Sequence, residues 1–302
     1  LKFGFCILSL YFCYKQIFFM IQQQELQEFI SAALREDVRE GDHSSLASID
    51  KNAQGKARLL VKDNGILCGL SVAEAIFQAV DADLRMETHL QEGASIKYGD
   101  VAFHVYGSAI SILTAERLVL NCMQRMSGIA TKTHEYVKAI EGTTTKVIDT
   151  RKTTPNLRFL EKYAVTVGGG ANHRFGLYDM IMLKDNHIDF CGGITKAIQK
   201  VHAYLQAKQL DLRIEVETRN LDNVKEVLEC GGVHRIMLDN FSPDNVRNAV
   251  LLIDKKYETE ASGGITLETI RSYAETGVDF ISVGALTHSV KSLDLSLKAD
   301  IH

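Results

Sequence analysis

The chain has 302 residues, 46% of them hydrophobic and 24% charged, with a formal net charge of −4. That is ordinary globular composition, long enough for two domains or for one barrel with an addition. It excludes a broad basic face for nucleic acid, so any anion binding has to come from positive charge concentrated locally.

The first 19 residues, LKFGFCILSLYFCYKQIFF, are apolar and aromatic. Lys15 interrupts the run and no small-residue cleavage site follows, which argues against a signal peptide or a membrane helix. Residues 1–19 are expected to be upstream translation or a disordered leader, with Met20 as the working start. From Gln24 onward Leu26, Phe29, Ile30, Ala33 and Leu34 repeat at helical spacing, and GDHSS then breaks the pattern.

Between about Gly55 and Gly107 lie short strand-like runs, KARLLVKDNGILCGL, ADLRMETHL and DVAFHVYGS, with one helix, SVAEAIFQAV, among them. Glycine-containing turns separate them, which predicts an N-terminal α+β sandwich domain over residues 20–127. A long helical stretch from Leu113 through TAERLVLNCMQRM, with Leu118, Cys122 and Met126 on its apolar face, links this domain to the next. Beyond Ser127 the pattern turns to alternating strands and helices.

Six runs read as strands: KVID (146–149), MIML (180–183), LRIEV (212–216), RIML (235–238), ETEAS (258–262) and FISV (280–283). Asn220 and Gly231 cap one intervening helix, Ser242-Pro243 starts another, and Thr266 and Gly277 bound a third. Repeated strand–helix units with short links predict a parallel sheet or an α/β barrel over residues 128–286, the catalytic domain. Residues 287–302 are expected to pack back on the N-terminal domain. The six cysteines show no C-x-x-C pair and no zinc spacing, which fits reduced thiols in a cytoplasmic protein.

In an α/β barrel the loops after the strands build the active site. The first two strands run into Arg151 with Lys152 and into Lys184; the next two end at Glu217 and at Asp239. The fifth runs into Ser262, Gly263 and Gly264, and the sixth into Val283, Gly284 and Ala285. One charge after a strand is usually only solvated, but cations, then acids, then glycine turns form an order. Small residues let an anion reach backbone N–H groups, so the last two turns suit a phosphate. Glu217 and Asp239, with no His or Cys beside them, suit Mg²⁺ held directly or through water, or sugar hydroxyls. The loop VGGGANHR adds His173 and Arg174. Read alone, these residues leave open a Schiff-base lyase using Lys184, or a non-catalytic phosphate-binding protein.

The stretch TRKTTPNLRFLEKYAVTVGGGANHRFGLYDMIMLKDNH, beginning at Thr150, closely resembles the signature of the quinolinate phosphoribosyltransferases, the carboxylating nicotinate-nucleotide pyrophosphorylases. AERLVLNCMQRMSGIAT, EVE, LDNF, EASGGI and VGALTHS look like the family's other motifs in the family's order, over roughly residues 25 to 300. The resemblance implies an incomplete α/β barrel of about six strands behind an N-terminal sandwich. It also implies transfer of phosphoribosyl from phosphoribosyl pyrophosphate to quinolinate with Mg²⁺, loss of carbon dioxide, and nicotinate mononucleotide as product. A related transferase with another acceptor is the near alternative.

By the same resemblance Thr150, Arg151, Lys152, His173, Arg174 and Lys184 line the quinolinate side, with Lys152 and Lys184 also reaching the sugar phosphates. Glu217 and Asp239 stand at ribose and metal, and Ser262–Gly264 and Val283–Ala285 at the 5′-phosphate. Arg117 matches an arginine that enters the partner subunit's site, implying a homodimer. Lys184 is expected to be a buried-site cation, so that Lys184→Ala nearly abolishes turnover.

Overall fold

A computed structural model describes residues 23–300, so the leader of residues 1–19 lies outside the described residues. In chain order the elements are α1 (Gln23–Asp37), α2 (His43–Ser48), β1 (Gln54–Val61), β2 (Gly65–Ile66), α3 (Leu70–Val80), β3 (Arg85–Thr88), β4 (Ser95–Ile96), β5 (Val101–Ser108) and α4 (Ala109–Ala139). There follow β6 (Lys146–Ile148), α5 (Arg158–Val167), β7 (Ile181–Leu183), α6 (Asp185–Cys191), α7 (Ile194–Lys208), β8 (Ile214–Thr218), α8 (Leu221–Cys230) and β9 (Arg235–Asp239). The last are α9 (Pro243–Ile253), β10 (Glu258–Ser262), α10 (Ile270–Ala274), β11 (Phe280–Ser282), α11 (Ala285–His288) and β12 (Leu295–Ala299).

The chain divides into two compact units that are not contiguous in sequence. The first holds the chain up to Lys132, Thr154–Gly169 and the chain from Val290; the second holds Thr133–Thr153 and Gly170–Ser289. The expected boundaries of 20–127 and 128–286 are therefore corrected for Thr154–Gly169. Inside the first unit, α5 sets the Phe159 ring edge-on to Phe29 at 5.9 Å and pairs Glu161 with Arg125 at 2.9 Å. Those contacts draw the segment out of the sequence order of its neighbours.

The first unit is built on an antiparallel sheet with order β12-β1-β5-β3. Ala57, Leu59 and Val61 alternate inward along β1, and Phe103 and Val105 do so on β5. Helix α3 covers that face through Val72, Ala73, Ile76 and Phe77, with Phe77 edge-on to Phe103 at 6.0 Å. Burying each such ring contributes about 1.5–3 kcal/mol. Strand β12 takes the β1 edge in register from Ala57↔Ala299 to Val61↔Leu295.

Two local readings are corrected here. GDHSS does more than break a helix, because Asp42 accepts the Ser45 N–H at 3.1 Å and starts α2. The change of texture expected after Ser127 comes later, since α4 continues to Ala139. Gly128 permits this: a Cβ there would collide with the Lys291 carbonyl.

The second unit is a parallel sheet with order β6-β11-β10-β9-β8-β7. The six strands coincide with the six predicted runs to within two residues. Strands β7 to β11 are neighbours in sequence order, each joined to the next by helix, and β6 adds beyond β11. Among the described residues β6 and β7 do not pair, so the barrel is open between them, as the predicted incomplete barrel requires. The caps fall where the sequence places them. Asn220 accepts the Asn223 N–H at 2.9 Å, and Ser242 caps α9 with Pro243 in its first turn. Between Thr266 and Gly277, however, the regular helix is confined to α10.

Candidate active site

A cavity of about 330 Å³ opens at the carboxyl ends of the six parallel strands, within the second unit. That volume lies at the lower end of the range for small-molecule sites. Strand alternation explains its lining. Residues two apart share a face, so Met182 and Lys184, Met237 and Asp239, and Glu260 and Ser262 all turn inward.

One side is cationic, with Arg151, Lys152, Arg174 and Lys184 all lining the cavity beside Thr150. Arg174 is buried, and its Nη1 donates to the Met180 carbonyl at 3.1 Å. Burial first, and then the neighbouring Arg151, push the Arg174 guanidinium below its ordinary value. Two cations this close disfavour each other, and an anion between them relieves both. Lys152 and Lys184 are exposed at the mouth. The expectation of Lys184 as a buried cation is corrected: β7 ends at Leu183, and Lys184 lines the cavity from its exposed rim. An exposed lysine among other cations lacks the desolvated pocket that a Schiff-base lysine uses, which removes the support for a lyase.

The other side is acidic. Glu217, one residue before the end of β8, and Asp239, the last residue of the adjacent β9, line it with Asp185. Burial and then Asp239 push the Glu217 carboxyl up. Burial raises Asp239 against a hydrogen bond from Ser262, and the Asp185 charge adds to the rise. Asn240 donates to Asp239 at 2.6 Å. Ser262 lines the cavity, followed by Gly263 at φ +100° and Gly264 at φ +61°.

In the last turn, Val283 is buried and its N–H donates to the Ile148 carbonyl at 3.0 Å. Its expected place at a phosphate is therefore corrected, because its donor serves the sheet; Gly284 and Ala285 remain at that turn. A Cβ on Gly284 would meet Lys152 Cδ at 3.0 Å. Arg117 is exposed on α4, in the first unit.

His173 lines the same cavity, as expected, and is held from behind by two carboxylates. The imidazole is buried, with Nε2 2.9 Å from Glu215 and 3.3 Å from Glu260. Burial pulls its pKa down, but hydrogen bonding and charge from the two carboxylates outweigh this and lift it to about 9. Nδ1 accepts the Arg174 backbone N–H at 2.6 Å, so the ring proton of this geometry sits on Nε2. A second proton requires that amide to turn away.

Asp149, Glu215 and Glu260 were missed by reading strand ends alone. Glu215 and Glu260 lie inside β8 and β10, and Asp149 directly follows β6. The available signal was the acid itself: a charge within a parallel strand buried on both faces needs a partner. Met182, Met237 and Ser282 complete the floor and carry no sequence signal.

An open parallel barrel that gathers cations against acids at its strand ends defines an enzyme class acting on small polyanions. The chain belongs to the quinolinate phosphoribosyltransferase family. Residues 129–298 match the quinolinate phosphoribosyl transferase C-terminal domain, and residues 42–127 match the N-terminal domain. It is 45% identical over 291 residues to a quinolinate phosphoribosyltransferase [decarboxylating], mitochondrial, of Nicotiana glauca, covering 91% of this chain and 82% of that protein. It is 44% identical over 273 residues to a probable nicotinate-nucleotide pyrophosphorylase [carboxylating] of Bacillus subtilis, covering 90% of this chain and 93% of that one. The crystal structure of NadC from Streptococcus pyogenes superposes with a TM-score of 0.87 at 43% identity, over 92% of this chain and 97% of that one.

Proposed function

We propose that this chain joins quinolinate to phosphoribosyl pyrophosphate, giving nicotinate mononucleotide, pyrophosphate and carbon dioxide, on the de novo route to NAD. The observation that carries this reading is one cavity with Arg151, Arg174, Lys152 and Lys184 facing Glu217 and Asp239, in a chain of this family. Quinolinate brings two carboxylates and phosphoribosyl pyrophosphate several phosphate charges, so four cations in one small cavity match the load. Arg151 and Arg174 offer planar forks for the carboxylates. Lys152 and Lys184, at the exposed mouth, suit the phosphates.

The pyridine nitrogen attacks the anomeric carbon as the bond to pyrophosphate breaks. Fixed cations stabilise the charge that develops on the leaving oxygen. The bond to the 2-carboxylate then breaks, its electrons pass to the ring beside the positive nitrogen, and a solvent proton completes the product. This sequence needs no general base from the protein.

Glu217 and Asp239 fit a divalent metal. They offer hard oxygen donors on adjacent strands, and the charge crowding that raises both carboxyls is what a cation relieves. Magnesium bound there would neutralise the departing pyrophosphate. The turns at Ser262–Gly264 and Gly284–Ala285 take the 5′-phosphate in this reading. Arg117 serves the partner's site, which makes a homodimer the working unit.

The four described cysteines are free thiols, which supports a reducing compartment such as the cytoplasm, although the Nicotiana glauca relative is named as mitochondrial. No helix among the described residues is long and apolar enough to cross a membrane.

The test supplies quinolinate, nicotinate or nicotinamide with phosphoribosyl pyrophosphate and Mg²⁺. Carbon dioxide and nicotinate mononucleotide are expected with quinolinate alone. Turnover of nicotinate without turnover of quinolinate would overturn the assignment.

A further inference from the structure

Against the cation wall stand three buried carboxylates, Asp149, Glu215 and Glu260, to which the proposed chemistry gives no role. Asp149 is fully buried; it accepts the His173 backbone N–H at 2.8 Å and the Asn172 side-chain amide at 2.6 Å. These bonds tie the loop after Gly168–Gly170 to the end of β6. Three consecutive glycines leave the approach to that loop many backbone conformations, so something beyond them has to choose one.

Backbone pairing of Ala171 with β6 and the Asp149 bonds fix the start of the loop, and the His173 ring fixes the residue that follows. The ring Nδ1 takes the Arg174 backbone N–H, and its Nε2 points at the Glu215 and Glu260 carboxylates, neither of which has any exposed surface. Two carboxylates buried side by side are costly unless a donor lies between them. Arg235, with its guanidinium 4.0 Å over the Phe280 ring, pairs with Glu260 at 2.9 Å, and the ion pair of Glu215 is with His173. Any conformation that withdraws the imidazole leaves Glu215 buried without that donor. The ring is thus pinned from below, and the amide of residue 174 is pinned by the ring.

We infer that Glu215 and Glu260 are positioning residues for quinolinate: by holding the His173 imidazole they fix the Arg174 backbone and aim its guanidinium into the cavity. This rests on the reading of the cavity as a quinolinate site. It also divides the inward faces of β8 and β10 by role. Glu217 and Ser262 meet the ligands, while Glu215 and Glu260, two residues earlier on the same faces, hold the loop that meets them.

The test is Glu215→Ala in the full chain, with each substrate varied in turn. The quinolinate KM is expected to rise about tenfold, equivalent to about 1.4 kcal/mol. The KM for phosphoribosyl pyrophosphate is expected to stay within about twofold, because the mouth lysines and the glycine turns are untouched. Glu215→Gln keeps an oxygen beside Nε2, and should bring the quinolinate KM back to within about threefold of wild type. If Glu215→Ala does not fold, Glu215→Met fills the same space without the acceptor and should show the same split. An active variant whose two KM values rise together, or whose quinolinate KM is unmoved, overturns the inference. A wild-type chain that neither binds quinolinate nor releases carbon dioxide overturns the functional reading first, and this one with it.

Discussion

Gly263→Ala isolates what the glycine turn after β10 contributes. Gly263 sits at φ +100°, a conformation that L residues rarely adopt. An added Cβ would overlap the Asn240 side-chain amide, fall 2.7 Å from its Cγ and lie 2.9 Å from the Asn240 backbone nitrogen. The amide can swing, but the backbone nitrogen cannot, because it donates to the Ser262 carbonyl at 2.8 Å. Left-handed strain costs about 1–3 kcal/mol, and forcing a methyl into a packed site costs about 1–3 more. The expected destabilisation is about 2–6 kcal/mol, which for a chain of this size lowers Tm by about 3–9 °C. Gly264 provides the control. It has φ +61° and nothing within 4 Å of an added Cβ, so Gly264→Ala should cost only about 1–2 kcal/mol. Thermal unfolding without substrates compares the two, so a methyl that merely blocks a bound phosphate does not enter. Equal Tm losses in the two variants would refute the reasoning from close approach.

Lys184→Ala removes a charge-assisted contact at an exposed mouth, so kcat/KM should fall about 10–100-fold, by roughly 1.5–3 kcal/mol; wild-type kinetics would end its proposed role. Mixing Arg117→Ala with Lys184→Ala chains, each weak alone, should restore activity in the hybrid dimer, and additive residual rates would argue against a shared site. Glu92 is half-buried against the start of α3 and accepts the Gly69 and Leu70 N–H groups at 2.6 and 2.9 Å. Burial outweighs those bonds and raises its carboxyl above the ordinary 4.5. The folded state therefore favours the protonated form. Its contribution is complete below 4.5 and declines as pH rises through the raised value. Glu92→Gln should flatten that part of the Tm-against-pH curve, and an unchanged slope would contradict this. Burial pushes Cys122 up to about 12 and Cys68 well above its ordinary value, whereas Cys191 and Cys230 are partly exposed. Peptide mapping after native alkylation should find label on the latter pair and not on the former.

The second unit was the more legible of the two because its signals are local. Each buried strand is a short, largely apolar run, and Asn220 and Ser242 start helices by accepting the N–H three positions on, with Pro243 in the first turn after Ser242. What escaped depends on distant partners. LSLKA becomes β12 because β1 has a free edge more than 230 residues earlier in the chain. Thr154–Gly169 joins the first unit because Phe159 and Glu161 find Phe29 and Arg125 there. Neither partner is visible from the segment itself.

The site divides the same way. Arg151, Lys152, Lys184, Glu217, Asp239 and Ser262 were readable because a polar residue just after an apolar run has a known place at the mouth of a barrel. His173 was readable as a polar residue in a glycine loop, but its role was not, since that role is set by Glu215 and Glu260 on strands far along the chain. The resemblance places His173 among the groups on the quinolinate side, and in the folded chain the loop delivers both His173 and Arg174 to the cavity wall, with the His173 ring nitrogens facing Glu215, Glu260 and the Arg174 amide. The specificity of the cationic side then depends less on how many positive charges surround the substrate than on how rigidly the buried acids hold one of them. That dependence predicts where quinolinate affinity is lost when no residue touching quinolinate has been changed.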